Sequence, residues 1–506
     1  MDKFKKVLEY IFIIVLIVLE CFLVTRKAVQ NDTFYSIKIG ESIVTHGMDS
    51  VSIDPFSWHE DLKYANPHWL NDVVIYVAYH IFNFEGIYVL VILETAILGL
   101  ILFYTLSKYS NNKPLSFIAS LFMIYSLNRY IAARAQLVSY IFFVLEVYFI
   151  ENYIKKNQKR YIIGIFIVSV LLANTHMAVY PMAFVFLLPY IAEEILAKLL
   201  KGESKTFLWK VEIDKNNHLK KLLGVALVIA LAGFINPMGL EPFTYLVKTM
   251  MGTSTHYIME HSRLNFLYLE YSKYFFITYG LILFCCVCPK VKIKLHDFFW
   301  IIGLVVLSII SIRNTALLVI LAYKVIVPVL SDFFEWVLSL KIWNGSRFVI
   351  LRCGIWVFLL FMIFYVSLKF YHFYQDDEYV NKRQYPVGAA RWIKEHLELK
   401  DLRLLNSYAD GSYLVFAGIP DFIDTRCDLF CAEFNPQMKK GEDIFLDYMR
   451  LQENADNYEK VLEKYDINCC LIHGMPSLDE NIGFSKIYDE GGFAIYLKNE
   501  LLERVK

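Results

Sequence analysis

From Val7 to Phe370 the chain is a series of apolar stretches separated by short charged turns, and that pattern constrains its solvent more than any motif does. Eleven stretches read as candidate spans: Val7 to Val24, Ile87 to Leu106, Leu115 to Leu127, Leu137 to Ile154, Tyr161 to Ala173, Val179 to Leu196, Leu222 to Ile235, Phe275 to Val287, Phe298 to Ile312, Thr315 to Leu330 and Phe348 to Phe370. A helix needs roughly 20 residues to cross a hydrocarbon core, so the shorter stretches must extend into their polar neighbours. With 57% of residues hydrophobic and 16% aromatic, the chain exceeds the apolar share of soluble domains and calls for lipid. Its net charge of zero gives no bulk field to attract nucleic acid. The expected fold class is therefore an α-helical polytopic membrane protein. The first stretch follows Lys3, Lys5 and Lys6 without a small-residue cleavage site and reads as a retained anchor.

Basic residues set the expected topology. Trp69 to Phe84 carries Asn71, Asp72 and His80 among apolar residues, as an interfacial helix would. If it lies along the surface, one side receives Lys108 and Lys113, then Lys155, Lys156, Lys159 and Arg160, then Lys198 through Lys221, then Lys290, Lys292 and Lys294, then Lys341, Arg347 and Arg352. By the positive-inside rule that side is cytoplasmic, which puts the amino terminus inside and the tail outside, in a multi-pass plasma-membrane protein. Lys324 falls within a span and is expected to snorkel toward the cytoplasm. The long outer regions are then Thr25 to Asn83, Asn236 to Tyr274 and the tail. Two parts result, a transmembrane part over residues 1–370 and a water-soluble, extracytoplasmic tail over 371–506.

Charge density rises near Gln375, and the apolar runs shrink to strand length. Helices are expected over Arg391 to Leu399 and Asp443 to Tyr465. Strands are expected over Arg403 to Asn406, Phe422 to Thr425, Ile467 to His473 and Phe493 to Lys498. Strands alternating with helices suggest a small α/β domain. Asp424, Arg426 and Asp428 alternate as on a strand and read as an internal ion-pair cluster. Asp376, Asp377 and Glu378 read as a solvated linker. Cys427 and Cys431 are close enough for a disulfide in an oxidising compartment, although sequence cannot fix pairing.

Asp32 follows the first span directly. A carboxylate at a membrane exit is well placed to deprotonate an acceptor hydroxyl while a phosphate leaves from a lipid donor. On spacing alone, the plainer reading is that it caps the next helix or is solvated. Arg129, Arg134 and Arg313 lie at outer turns, where the positive-inside rule disfavours arginine, and a guanidinium matches phosphate oxygens in a bidentate fork. Asp54, His68, Asp72, His176, His256 and His261 are candidates for acceptor or metal contacts; lone histidines are more often structural. A divalent metal ion would find oxygen ligands among Asp32, Asp54, Glu60, Asp61 and Asp72, but no spacing selects a set. Glu20, Glu94 and Glu146 lie in or beside spans, where ionisable groups need partners or water. No nucleotide-binding loop, zinc-protease motif or nucleophile elbow is present.

The ordered series Asp32, Asp54-Pro55-Phe56-Ser57, His68-Trp69-Leu70, Arg134 to Tyr140, Ala173-Asn174-Thr175-His176, Asn236 to Leu240, Ser311-Ile312-Arg313-Asn314 and Ile423 to Leu429 resembles the bacterial branch of the GT-C superfamily, membrane glycosyltransferases that use polyprenyl-phosphate-linked sugars. The resemblance implies a GT-C-like transmembrane domain and transfer of a sugar from a polyprenyl-phosphate donor to a glycan, lipid or protein acceptor at the cell envelope. It implies Asp32 as the catalytic base and a first outer loop that roofs the site. Pro67-His68 departs from the His-Glu pair of many relatives, which leaves metal dependence open. A carrier or flippase of lipid-linked glycans is the rival class, but transporters tend to carry repeats and midplane ionisable groups, and no repeat is found here. A non-catalytic scaffold of envelope assembly is the third reading.

Overall fold

The computed structural model describes residues 2–199, 206–207, 211–213, 218–252, 254–265, 269–288, 292–339, 346–376, 378–436, 438, 443–454, 457–478 and 482–504. Lys290, Lys341 and Asp377 lie outside these, as does most of the stretch between Lys198 and Lys221.

Apolar sequence becomes helix through most of the chain. The helices in order are α1 (Asp2–Val24), α2 (Asn31–His46), α3 (Trp69–Ser110), α4 (Lys113–Ser126), α5 (Ala135–Lys156), α6 (Lys159–Thr175), α7 (Met182–Val185), α8 (Leu188–Leu199), α9 (Leu219–Ala232), α10 (Glu241–Met251), α11 (Ser254–Tyr257), α12 (Leu269–Val287), α13 (Leu295–Ile310), α14 (Thr315–Ser339) and α15 (Ser346–Tyr374). Among the described residues, five helices are long and apolar enough to cross a membrane: α1, α3, α5, α14 and α15. The stretch expected as one span from Val179 to Leu196 is broken instead. A 3-10 turn, α7 and α8 succeed one another there, with Pro181 and Pro189 denying backbone donors to a continuous helix. α3 also breaks, because Phe82 and Asn83 leave helical geometry and Asn83 takes a left-handed φ of 51°. The kink falls where an interfacial segment was expected to give way to a span.

Two ends of the bundle differ in chemistry. At one end Lys113 meets Glu9, and Lys324 is buried among carboxylates, 2.7 Å from Glu151 and 2.8 Å from Asp297. Lys324 therefore does not snorkel; paired carboxylates remove the reason to leave the bundle. Short strands β1 (Thr206–Phe207), β2 (Val211–Glu212) and β3 (Ile293–Lys294) form a small sheet at this end. Within the bundle, Glu20 accepts from Ser367 (2.6 Å) and Glu146 from Ser169 (3.1 Å), so both find hydroxyl partners.

The other end carries α2, the loop after it, α10, α11 and the carboxy-terminal part. That part contains β4 (Leu404–Leu405), β5 (Cys469–Ile472), β6 (Phe484–Glu490) and β7 (Phe493–Lys498) in the order β4-β5-β7-β6, with β4 parallel to β5 and the remaining pairs antiparallel. Helices α16 (Val387–His396), α17 (Tyr408–Ala417), α18 (Ile444–Glu453) and α19 (Tyr458–Lys464) surround this mixed sheet. The single helix expected from Asp443 to Tyr465 is thus two. Asp443 caps the first by accepting from the Leu446 amide at 2.8 Å. The strand expected over Phe422 to Thr425 is absent: Asp421 makes one bridge to Ser57, and the residues after it turn to serve an ion pair. Cys427 and Cys431 are both free thiols, and Cys431 donates to the Cys427 carbonyl (3.3 Å).

This carboxy-terminal part is packed onto the bundle. Phe34 of α2 sits among Tyr385, Tyr413 and Phe416, with ring centroids 4.8 to 5.5 Å away. Arg426 bonds Asp424 and reaches 2.6 Å to Asp54 of the loop after α2, all three fully buried. Asp428 accepts from Tyr245 (2.9 Å) and Thr249 (3.2 Å) of α10 and from Ser254 (3.3 Å) of α11. The expected charge cluster is therefore real for Asp424 and Arg426, but Asp428 belongs to a different contact.

Candidate functional site

Three consecutive residues at the start of α2 hold two segments remote from it in sequence. Asn31 donates to the Ala409 carbonyl of α17 (2.6 Å), Thr33 to the Ala133 carbonyl (3.3 Å), and Asp32 between them pairs with Arg134 at 2.7 Å. Gln30, not Asp32, occupies the N-cap position. Asp32 lies in the first turn, where the helix dipole favours negative charge and the carboxylate is free to point at a partner.

Arg134 is the hub. It caps α5 in an extended conformation, and its second nitrogen meets Glu260 at 2.9 Å. Burial works against its charge, but Asp32 and Glu260 outweigh that and hold its pKa above the usual arginine value. Burial likewise opposes the Glu260 charge, and Arg134 with Arg313 overrides it and lowers the carboxyl's pKa. The Glu260 backbone is fixed by Ser311, whose hydroxyl donates to its carbonyl (2.9 Å), in the turn that carries Arg313. Tyr130 ties the turn before α5 to the same place by donating to the Ile312 carbonyl (2.9 Å).

A second chain of contacts begins three residues after Asp32. The Tyr35 hydroxyl lies 3.3 Å from His68 Nε2, and His68 Nδ1 lies 2.9 Å from Asp72. Asn66 donates to the other Asp72 oxygen (2.9 Å). The economical tautomer has His68 donating from Nδ1 to Asp72 and accepting from Tyr35. Gly40 makes this geometry accessible, since a Cβ there would lie 2.2 Å from the Asp72 carbonyl oxygen. His176 is buried and bonds Ser139 at 2.7 Å; burial, with Arg313, keeps it neutral.

Of the residues singled out from sequence, Asp32 and Arg134 meet directly. Arg313 joins them through Glu260, and His68 and Asp72 flank them through Tyr35. His261 sits beside Glu260, where burial and Arg313 lower its pKa. Arg129 lies in the turn beside Tyr130, and its charge acts on that ring. His256 is exposed on α11. Asp54 is committed to Arg426 and to the Ser57 amide (2.8 Å), away from this group. Sequence reasoning missed Glu260 and Tyr35, which link Arg134 to the Arg313 turn and Asp32 to His68.

Among the described residues, the candidate carboxylates at this end do not form a divalent-metal site. Asp32 is taken by Arg134, Asp54 by Arg426 and Asp72 by His68 with Asn66, so these carboxylates do not converge. Among the described residues, a metal-like grouping of Glu151, His296 and Asp297 occurs only at the far end, where Glu151 and Asp297 already hold the Lys324 ammonium and His296 pairs with Glu193 (2.6 Å).

No protein-family model and no curated protein sequence matches the chain. Solved structures do match it. ArnT from Cupriavidus metallidurans in the apo state aligns over 98% of this chain and 98% of its own, with a TM-score of 0.57 at 12% identity. The same enzyme bound to undecaprenyl phosphate aligns over 97% and 98%, with a TM-score of 0.57 at 11% identity. The Archaeoglobus fulgidus oligosaccharyltransferase, tethered to an acceptor peptide, aligns over 96% of this chain and 74% of its own, with a TM-score of 0.58 at 12% identity.

The chain has the GT-C fold.

At such identities the likeness is one of fold, and it spans both the helical bundle and the small sheet domain. In this GT-C fold Asp32, Arg134 and Glu260 come from three segments remote in sequence and meet at the bundle end that carries the sheet domain.

Proposed function

We propose that the chain is an integral-membrane glycosyltransferase that moves a sugar from a polyprenyl-phosphate-type donor to an acceptor outside the cytoplasm. The observation that carries this reading is the Asp32–Arg134 pair, a carboxylate and a guanidinium 2.7 Å apart at the sheet-domain end of a GT-C fold. That a protein of this fold was solved with undecaprenyl phosphate bound supports the donor class.

In the proposed reaction Asp32 takes the proton of an acceptor hydroxyl as its oxygen bonds to the anomeric carbon. The bond from that carbon to the phosphate oxygen breaks, and its electron pair leaves with the lipid phosphate. Arg134, with Arg313 and Arg129 in the neighbouring turns, balances the phosphate charge as it develops. Attack opposite the departing phosphate inverts the anomeric centre. Tyr35, His68 and Asp72 orient the acceptor. Residues 1–370 form the membrane part, with its lysine-rich end cytoplasmic, and residues 371–506 the outer domain. His176 and His261, both within reach of the Arg313 charge, are the proposed further contacts of the acceptor or the donor phosphate.

Purified chain in nanodiscs, given a panel of polyprenyl-phospho-sugars and acceptor extracts, is expected to release polyprenyl phosphate from one donor and to add one sugar to an acceptor, both read by mass spectrometry. Intact donors across a panel covering pentoses, hexoses and aminosugars would refute the reading.

A further inference from the structure

α10 has two unlike faces. Tyr245 and Thr249, one turn apart, bond Asp428 of the sheet domain, and Glu241 and Lys248 pair beside them (2.6 Å). At 3.6 residues per turn, Leu240, Val247, Met250 and Met251 fall on the opposite side. Each is more than half exposed. Four large apolar side chains grouped on one face and backed by a fixed polar face mark an interaction surface rather than scattered surface residues.

Continuity identifies the occupant. Leu223, Leu227 and Leu231 form an exposed stripe along α9, one of the apolar helices of the bundle, and its last turn leads to exposed Phe234. Phe243 of α10 packs on Phe234, with ring centroids 5.2 Å apart. The apolar face of α10 therefore extends the lipid-facing surface of the bundle, while its polar face is covered by the sheet domain. The first half of α3 follows the same rule, with Asn71 and Asp72 buried and Val74, Val77 and Ile81 exposed.

We propose that α10 lies in the plane of the membrane with Leu240, Val247, Met250 and Met251 in the acyl region of the leaflet adjoining the sheet domain, so that Asp428 fixes that domain to the bilayer surface. A helix with apolar residues on one side and charges on the other binds an interface in this orientation. Methionine suits the role, since its unbranched chain adapts to a fluid partner. The inference stands on exposure and continuity alone and does not require transferase activity.

The test is photo-crosslinking of full-length protein in nanodiscs of a single phosphatidylcholine. The photoreactive residue p-benzoylphenylalanine is placed in turn at Val247, at Met251 and, as a control, at exposed Lys400 on the sheet domain. Lipid adducts at Val247 and Met251, at least tenfold above Lys400, are expected by mass spectrometry of the peptides. Adducts to a second copy of the chain, adducts to another segment of it, or lipid yields no higher than at Lys400 would overturn the proposal.

Discussion

Arg134 joins Asp32 at 2.7 Å with one nitrogen and Glu260 at 2.9 Å with another, so that one guanidinium stands between two carboxylates brought together from opposite sides of the site. Removing it as Arg134→Ala leaves those carboxylates facing each other and, in the proposed reaction, withdraws a cation from the donor phosphate. Transfer is expected to fall by about 10²- to 10³-fold, the usual cost of losing a charge-stabilising donor. Arg134→Lys, which keeps the charge but loses the two-armed geometry, is expected to fall between that variant and wild type. Initial rates on the lipid-phosphate donor check both.

The Arg426–Asp54 pair is a separate device that holds the loop after α2 to the sheet domain. Asp54→Asn leaves a buried guanidinium short of a counter-charge, and breaking such a pair costs about 3–5 kcal/mol. The expected result is a lower midpoint of thermal unfolding and faster proteolysis between residues 47 and 65, with α1 still inserted. Burial raises the Asp54 pKa and Arg426 outweighs it, so the folded value is depressed. Its stabilisation is therefore present above the ordinary carboxylate range and lost as the solution is acidified below it.

Asp421, in the same cluster, carries the opposite sign. Its carboxyl is fully buried with neither oxygen hydrogen-bonded, and burial followed by Asp424 raises its pKa well above the ordinary value. A raised carboxyl contributes stability that is full below its unfolded pKa and lost as pH climbs through the folded one. Asp421→Asn is expected to flatten that loss, gaining about 1.4 kcal/mol at high pH for each unit of displacement. Denaturation at pH 5 and pH 8 checks it; an equal effect of the substitution at both would contradict the assignment.

Gly40 permits α2 to touch α3. A methyl group there would meet the Asp72 carbonyl oxygen at 2.2 Å and the Tyr76 Cβ at 2.6 Å, so Gly40→Ala must move one helix off the other. Overpacking of this kind costs about 1–3 kcal/mol. Because α2 bears Asp32 and α3 bears Asp72, activity is expected to fall together with the unfolding midpoint.

Sequence carried much of this, unevenly. Apolar runs located the helices, because lipid-facing and buried surfaces both need apolar side chains, and Asp32 stood out by its place after the first run. The alternation of Asp424, Arg426 and Asp428 misled as a strand: period two also arises when one residue turns inward to a charge and another outward to hydroxyls, as Arg426 and Asp428 do. α17 went unassigned, since Asp410, Gly411 and Ser412 within it are poor helix formers. Gly411 is there for close packing, since a Cβ would lie 2.0 Å from the Ile423 carbonyl oxygen. Glu260 carried no local signal at all, being an acidic residue in a polar loop whose meaning comes only from Arg134.

The central claim is that Asp32 removes the acceptor's proton. Its most direct test is single-turnover transfer by Asp32→Asn, an isosteric change that keeps the shape of the site and removes the base. The account predicts a rate lower by about 10²- to 10⁴-fold, the range of general-base contributions, with donor binding and thermal unfolding close to wild type. Transfer at the wild-type rate by this variant would contradict it.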